Sequence, residues 1–327
     1  MRQVLSASGY TISMVATGTT GARTTKRFAR KQAPPNMVLT ERDIAILRGL
    51  LRFRFLTSTQ IQLLDSGSYA SVMRLMRTIY DNGFVDVPTG QIADLVAYGN
   101  GPNVYALSSR GAKALAAYEG GDIDRLRWSL NNARLKPRFI RHTTGIASVM
   151  VPLLVACRDE RAPNLIDHHD LVPLFPAETQ RRANPFLWKA TVQDHATAER
   201  IALVPDRLFS LLFADSMRMN FALELDTGEM PVARRSMKGT SIKRKLLGYL
   251  SGWRSKAHEE WGFTRLRVLF VTSSRQRVAT MQRVLDDITD GRGSGMFLFA
   301  TLDDIEREGP LASIWETGKA ERISLVS

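Results

Sequence analysis

The segment Phe221-Ala222-Leu223-Glu224-Leu225-Asp226 alternates bulky apolar residues with small or acidic ones. In a strand, that period of two buries Phe221, Leu223 and Leu225 on one face and sets Glu224 beside Asp226 on the other. Two like charges so placed repel unless something positive lies between them, and a divalent cation would resolve the conflict. Eighteen positions before Glu224, Pro205-Asp206 ends a run of aliphatic residues and places a third carboxylate at a strand margin. Asp206, Glu224 and Asp226 together offer the hard oxygen ligands that Mg²⁺ or Mn²⁺ prefers. The competing reading is a solvated outer strand face.

Residues 230–258 contain eight Lys and Arg and no acid. Arg234, Arg235, Lys238, Lys243 and Arg244 in this run suggest a phosphate-binding surface beside the carboxylates. In a helix over residues 241–253, Ile242, Leu246, Leu250 and Trp253 would face the core, leaving Lys245 and Tyr249 as an i, i+4 pair on an adjacent face. Either could touch a scissile phosphate, or the pair could be plain helix surface. A metal between carboxylates, with a lysine to offset phosphate charge, is the arrangement for metal-assisted phosphodiester hydrolysis. On that reading Asp206, Glu224, Asp226, Lys245 and Tyr249 are the catalytic candidates.

These groups need elements to hold them. Residues 1–37 form an acid-free basic arm, expected to be disordered and closed by Ala33-Pro34-Pro35-Asn36. From residue 38 to 120 the pattern predicts helix, helix, helix, strand, strand, helix. Thr40 with Asp43 and Thr57 with Gln60 read as capping boxes. Val72, Leu75, Met76 and Ile79 give the third helix its inner face, and Asn82-Gly83 its stop. Strands over 84–87 and 104–107 enclose a Gly-rich loop, and a helix follows from Ser109. That order is a winged helix-turn-helix, whose third helix carries Arg74 and Arg77 where a recognition helix meets DNA.

A basic connector over residues 121–138 leads to a second domain, 139–327. It opens with a helix over 139–157; strands over 202–204, 208–213, 221–226 and 266–272, with helices over 241–253 and 275–288, predict an α/β (α+β) mixed sheet. The net charge of +13 suits a polyanionic partner, nucleic acid ahead of an acidic membrane. Cys157 is the sole cysteine, so disulfides and cysteine zinc sites are excluded, and a reducing, cytoplasmic setting is expected. The apolar stretch 146–157 falls short of the roughly 20 residues a membrane span needs and reads as a buried helix. No GxxxxGK[ST] loop supports an ATPase. His168-His169, between Asp167 and Asp170, reads as exposed polar sequence, and His142 as a structural hydrogen-bonder.

Leu203-Val204-Pro205-Asp206, then Phe221 through Gly228, then Lys245 and Tyr249, all behind a winged helix, resemble the replication-relaxation family of plasmids and integrative elements, which includes MobC-type relaxases. The resemblance implies a restriction-endonuclease-like second domain with an Asp, Glu-x-Lys nuclease plan. It also implies nicking of double-stranded DNA at a transfer or replication origin, with other transfer proteins as further partners. Carried over, Asp206 and Glu224 are metal ligands and Asp226 stands where the common plan has lysine. Either the lysine has moved to the helix as Lys245 or Lys243, or the site only binds DNA. The second outcome describes a non-catalytic accessory protein or transcription regulator with a decayed nuclease fold. The five histidines form no His-hydrophobic-His motif and Tyr10 lies in the arm, so metal-activated water is the expected nucleophile rather than tyrosine.

Overall fold

The computed structural model describes residues 29–32, 34, 37–91, 101–120, 135–194, 197–233 and 241–326. Both expected capping boxes form. The Thr40 hydroxyl accepts from the Asp43 N–H and the Asp43 carboxylate accepts from the Thr40 N–H, which starts α1 (Glu41–Phe53). Thr57 and Gln60 do the same for α2 (Ser58–Asp65). Between them lies a short strand that the sequence pattern does not announce, β1 (Phe55–Thr57). Next come α3 (Tyr69–Asp81), β2 (Val85–Asp86), β3 (Val104–Leu107) and α4 (Ser109–Glu119). The three strands make an antiparallel sheet in the order β1-β3-β2. The element order is the one expected for a winged helix, with β1 added.

Gln91 closes the base of the β2–β3 hairpin through both its amide groups, accepting from the Val104 N–H and donating to the Val104 carbonyl at 2.8 and 2.7 Å. Residues 92–100, expected to belong to the Gly-rich loop of a wing, lie outside the described residues. So do residues 1–28 of the arm and 121–134 of the connector. Residues 29–32 do not hang free, as an arm disordered throughout 1–37 would require. Arg30 donates to Asp86 at 2.7 Å and to the Val85 carbonyl at 2.8 Å, and stacks over Tyr80.

The second part begins with α5 (Pro137–Ala156), which starts at a proline whose fixed φ suits a first helical turn. It continues through β4 (Asn164–Ile166), α6 (His168–Leu171), α7 (Ala177–Gln180), β5 (Trp188–Asp194), β6 (Thr197–Leu203), β7 (Arg207–Leu212) and β8 (Arg218–Asp226). Then follow α8 (Ile242–Arg254), β9 (Arg267–Thr272), α9 (Arg275–Ile288), β10 (Ser294–Thr301), α10 (Leu302–Glu308), β11 (Trp315–Gly318) and β12 (Arg322–Ile323). Seven strands form one sheet in the order β12-β11-β10-β9-β8-β7-β4. β8, β9 and β10 run parallel and the other pairings are antiparallel, so the sheet is mixed as expected. β5 and β6 form a separate hairpin.

The alternation along β8 sorts the two faces. Phe221, Leu223 and Leu225 join a core with Ala147, Val149 and Val151 of α5, and that core runs on into Leu47, Leu50 and Met76 of the N-terminal unit. Gly145 allows this approach, because a Cβ there would come within 2.5 Å of Leu225 Cδ2. By length and composition α5 could cross a membrane, but its apolar face packs on β8. Polar contacts fix the same junction. Gln60 donates to the Thr144 carbonyl and the Ser148 hydroxyl, and Arg207 donates to the Arg52 carbonyl at 2.6 Å. The N-terminal unit and the sheet therefore share one interior.

Candidate functional site

The opposite face of β8 carries Ala222, Glu224 and Asp226 toward α8 and α9. Glu224 and Asp226 do share a face, and both are buried, at 1 % and 5 % exposure. A solvated outer face is thereby excluded. Each acid has its own protein cation. Lys245 Nζ donates to Glu224 Oε2, and the Tyr249 hydroxyl donates to Oε1 at 2.5 Å. Arg277 grips Asp226 with two nitrogens, one of them 2.8 Å from Oδ1, and the Thr272 hydroxyl adds a third bond at 2.6 Å.

Asp206 lies in the turn between β6 and β7. In the antiparallel register Arg207 faces Leu223, and one further step sets Asp206 opposite Glu224. Its Oδ2 accepts from the Leu225 N–H at 2.8 Å and meets His142 Nε2 at 3.3 Å. The carboxylate thus caps the end of the hairpin and is reached from α5 on one side and α8 on the other. His142 is a hydrogen-bonder as expected, and its partner is one of the candidate ligands.

The face expected inside does meet the core, with Ile242 and Leu246 buried and Leu250 and Trp253 half-buried against it, but the buried face of α8 is wider than its apolar periodicity and takes in Gly248, Tyr249 and Gly252. The cause is the β5–β6 hairpin. A Cβ on Gly248 would stand 2.8 Å from Leu203 Cδ1, and one on Gly252 would stand 2.2 Å from Trp188 Nε1. Glycines let the hairpin press in, Trp188 donates to the Gly248 carbonyl at 3.0 Å, and the helix turns Lys245 and Tyr249 onto the carboxylates. Tyr249 is fully buried, so it is not a helix-surface group free to attack a phosphate.

The electrostatics centre on Lys245. Burial alone would lower its pKa, but Glu224, then Asp206 and Asp226, hold it above the ordinary lysine value. Burial pushes Glu224 up, against the pull of Lys245 and with added repulsion from Asp206. Burial also tends to raise Asp206, but the His142 hydrogen bond and the charges of Lys245 and His142 outweigh it, and Asp206 is lowered. The Asp206 hydrogen bond raises His142 against the effect of burial. Burial and Glu224 push the Tyr249 phenol well above its usual value. The two carboxylates are thus driven in opposite directions, with the Lys245 ammonium bonded to Glu224 and its charge felt by Asp206.

Among the described residues, no three His, Cys, Asp or Glu side chains come together to hold a metal ion. The expected trio therefore divides. Asp226 does not fit as a ligand, because both its oxygens are committed to Arg277 and Thr272. Glu224 also has both oxygens bonded, by Lys245 and Tyr249, so it could join Asp206 around Mg²⁺ only with Lys245 withdrawn, one or two carboxylates with water and substrate phosphates being a common shell. Lys245 supplies the positive charge at Glu224.

The basic candidates scatter. Arg74 is exposed on α3, whereas Arg77 pairs with Asp81 one turn on and donates to the Ala29 carbonyl. Arg244 pairs with Glu199 at 3.5 Å, and Lys243 is half-buried on the first turn of α8. Arg234, Arg235 and Lys238 lie outside the described residues. A cleft of about 810 Å³ opens in front of Asp206, between α1 and the sheet, lined by Arg48, Arg52, Arg54, His142 and Arg207. Sequence reasoning missed this cleft. Asp167 and His168, expected to be exposed, help build its wall: Asp167 is 2 % exposed and bonds Arg52 at 2.6 Å. His168 stacks on Phe186 and accepts from the Leu208 N–H. The burial of Asp167 depends on Arg52, 115 residues away, a pairing no local pattern reveals.

The molecule is an α/β protein in which a helical N-terminal unit and a mixed sheet meet at a charged cleft. The model of the replication-relaxation family matches residues 47–266, more than half the chain, and the chain belongs to that family. Its function accordingly lies in the replication or relaxation of DNA. The match stops before β9, so Thr272 and Arg277, which hold Asp226, come from beyond it. No curated protein and no solved structure matches the chain.

Proposed function

We propose that this protein binds double-stranded DNA through its N-terminal unit and nicks one strand at the Asp206, Glu224 and Lys245 site, at a transfer or replication origin. The observation that carries the reading is Lys245 reaching from α8 onto Glu224 while feeling the charge of Asp206. This is the nuclease plan with its lysine moved from the strand to the neighbouring helix. Asp206 and Glu224 would hold Mg²⁺ or Mn²⁺, which when bound lowers the pKa of a water and polarises a phosphoryl oxygen. Tyr249 fixes one oxygen of Glu224, and His142 steadies Asp206. Lys245, released from Glu224, offsets charge developing on the phosphate. The cleft arginines guide the strand toward Asp206, and Arg74 on α3 contacts the duplex.

One observation favours a second reading. Both oxygens of Glu224 are already satisfied by protein donors, as they would be in a decayed site that only binds DNA. The test is incubation of the full chain with supercoiled plasmid bearing its own genetic neighbourhood, with Mg²⁺, Mn²⁺ or chelator. Metal-dependent conversion to open circles, lost in Asp206→Asn and Glu224→Gln while DNA binding persists, supports cleavage. Intact supercoils under both metals leave the binding reading in its place.

A further inference from the structure

We propose that the opposite end of the sheet carries a second contact for DNA, a phosphate-binding pocket made by Arg218, Arg265 and Arg267. β8 starts at Arg218 and β9 at Arg267, and the two run parallel. Their starting ends and the chain leading into β9 enclose a cavity of about 700 Å³ that these arginines line with Asn220. Arg218 shares the Glu224 face of β8, whereas Arg267 pairs with Phe221 on the other face, so the pocket wraps the sheet's end.

Three features point to a phosphate. Among the described residues, ion pairs hold Arg182 to Glu260 and Arg277 to Asp226, but none holds any of these three arginines. One nitrogen of Arg267, Nη1, is buried with no hydrogen-bond partner, a donor that lacks its acceptor. Burial and the neighbouring charge of Arg265 act together to lower the Arg267 pKa, a repulsion that an anion between them would relieve. The frame is also fixed before any ligand arrives. Buried Asn220 accepts from the Ser210 hydroxyl and donates to the Arg265 carbonyl, and Arg218 lies over Phe263 and donates to the Gly262 carbonyl. Planar guanidinium groups held in place this way suit phosphate oxygens.

The spacing suits one continuous DNA. From Arg218 to Glu224 is six residues of strand, roughly 20 Å at about 3.3 Å per residue. That is about six steps along a DNA strand. A duplex with a phosphate at the carboxylate end can therefore present another to the arginines. The proposal rests on the DNA binding of this family and is independent of nicking.

The test measures binding of the full chain to a duplex of about 30 base pairs in chelator, so that failure to nick leaves it intact. Each lost phosphate contact reduces the slope of log affinity against log salt by about 0.9. Arg265, exposed and unpaired, is the first variant: Arg265→Ala should reduce the slope by about one, and Arg218→Ala/Arg265→Ala by about two. Between about 50 and 200 mM salt the double variant should then lose roughly tenfold less affinity than the wild type. Arg265→Lys should restore most of the slope. An unchanged slope in Arg265→Ala, with an unchanged melting temperature, overturns the proposal. So does an unchanged DNA slope accompanied by loss of binding to an acidic peptide such as oligoglutamate, which would assign the pocket to a protein partner.

Discussion

Glu224 and Asp226 stand two residues apart on one face of one strand, both buried, and the fold neutralises them in different ways. Asp226 receives Arg277 through two nitrogens and a hydroxyl from Thr272. Glu224 receives the single ammonium of Lys245 and a phenol. A guanidinium is planar, always charged and matched to a carboxylate at two points, whereas an ammonium is a compact point charge that another cation can replace. Asp226 is thus locked in place, whereas on the proposed reading the group that holds Glu224 is one a metal ion could displace. On the proposed reading the carboxylate that works with Glu224 is then Asp206, across the hairpin, and not the nearer neighbour on the strand.

The largest effect expected from this difference is on stability. Arg277→Ala leaves Asp226 buried and without a countercharge, an error worth about 3 to 5 kcal/mol. Arg277→Ala should lower the unfolding midpoint in urea, and Asp226→Asn/Arg277→Met should recover much of the loss. If Arg277→Ala is as stable as the wild type but unable to nick, Asp226 belongs to the working site and the division between the two acids is wrong.

Lys245→Met tests the other acid. Glu224, already pushed toward its neutral form by burial, can take up a proton when the lysine is gone, so stability should fall less than in Arg277→Ala. Nicking should slow by roughly a hundredfold, ~3 kcal/mol, as for loss of a group that stabilises transition-state charge. Equal nicking by Lys245→Met and wild type would move the role to Lys243 or remove it.

The sign of the Glu224 shift supplies a third measurement. Its folded pKa lies above its unfolded value, so its contribution to stability is fully present below the ordinary glutamate pKa and is lost as pH rises through the folded one. Glu224→Gln keeps the neutral form's shape and cannot ionise. In chelator, the melting temperature of Glu224→Gln should gain on the wild type as pH rises from about 4 toward 7; in a separate assay with Mg²⁺ or Mn²⁺ the variant should not nick. A difference that shrinks over that range would mean that Lys245 overcomes burial and holds Glu224 ionised.

What the sequence made legible here was local. The period of two on β8 told which face the acids share, and the two capping boxes fixed where α1 and α2 begin, because each signal lies within a few residues of its effect. The partners of the acids were not legible. Arg277 is 51 residues from Asp226, in a helix whose periodicity gives only its own inner face. The burial of Tyr249 was missed for a similar reason, since that side of α8 is covered by a hairpin that Gly248 and Gly252 admit, and glycines leave no trace in an apolar pattern. Lys245 was legible as a candidate on its helix, but its contact with Glu224 depended on that hairpin.

The smallest effect separates positioning from chemistry at Tyr249. The phenol is wholly buried, with its hydroxyl 2.5 Å from Glu224 Oε1, and its pKa is pushed well above the usual value, so it is neither exposed nor ready to ionise as a nucleophile would be. Tyr249→Phe keeps the ring that packs on Trp188 and removes one hydrogen bond to a buried acid. Such a bond is worth about 1.5 to 3 kcal/mol when the acid is charged, and less here because Glu224 can shift toward its neutral form. Nicking by Tyr249→Phe should therefore fall by roughly tenfold or less, with the pH optimum moved upward as Glu224 becomes harder to ionise. Complete loss of nicking, together with a wild-type protein that becomes covalently attached to the cleaved strand, would make Tyr249 the attacking group. In that case the hydrogen bond to Glu224 would be the step that activates it, and the contrast between the two acids would be one between a structural carboxylate and a general base.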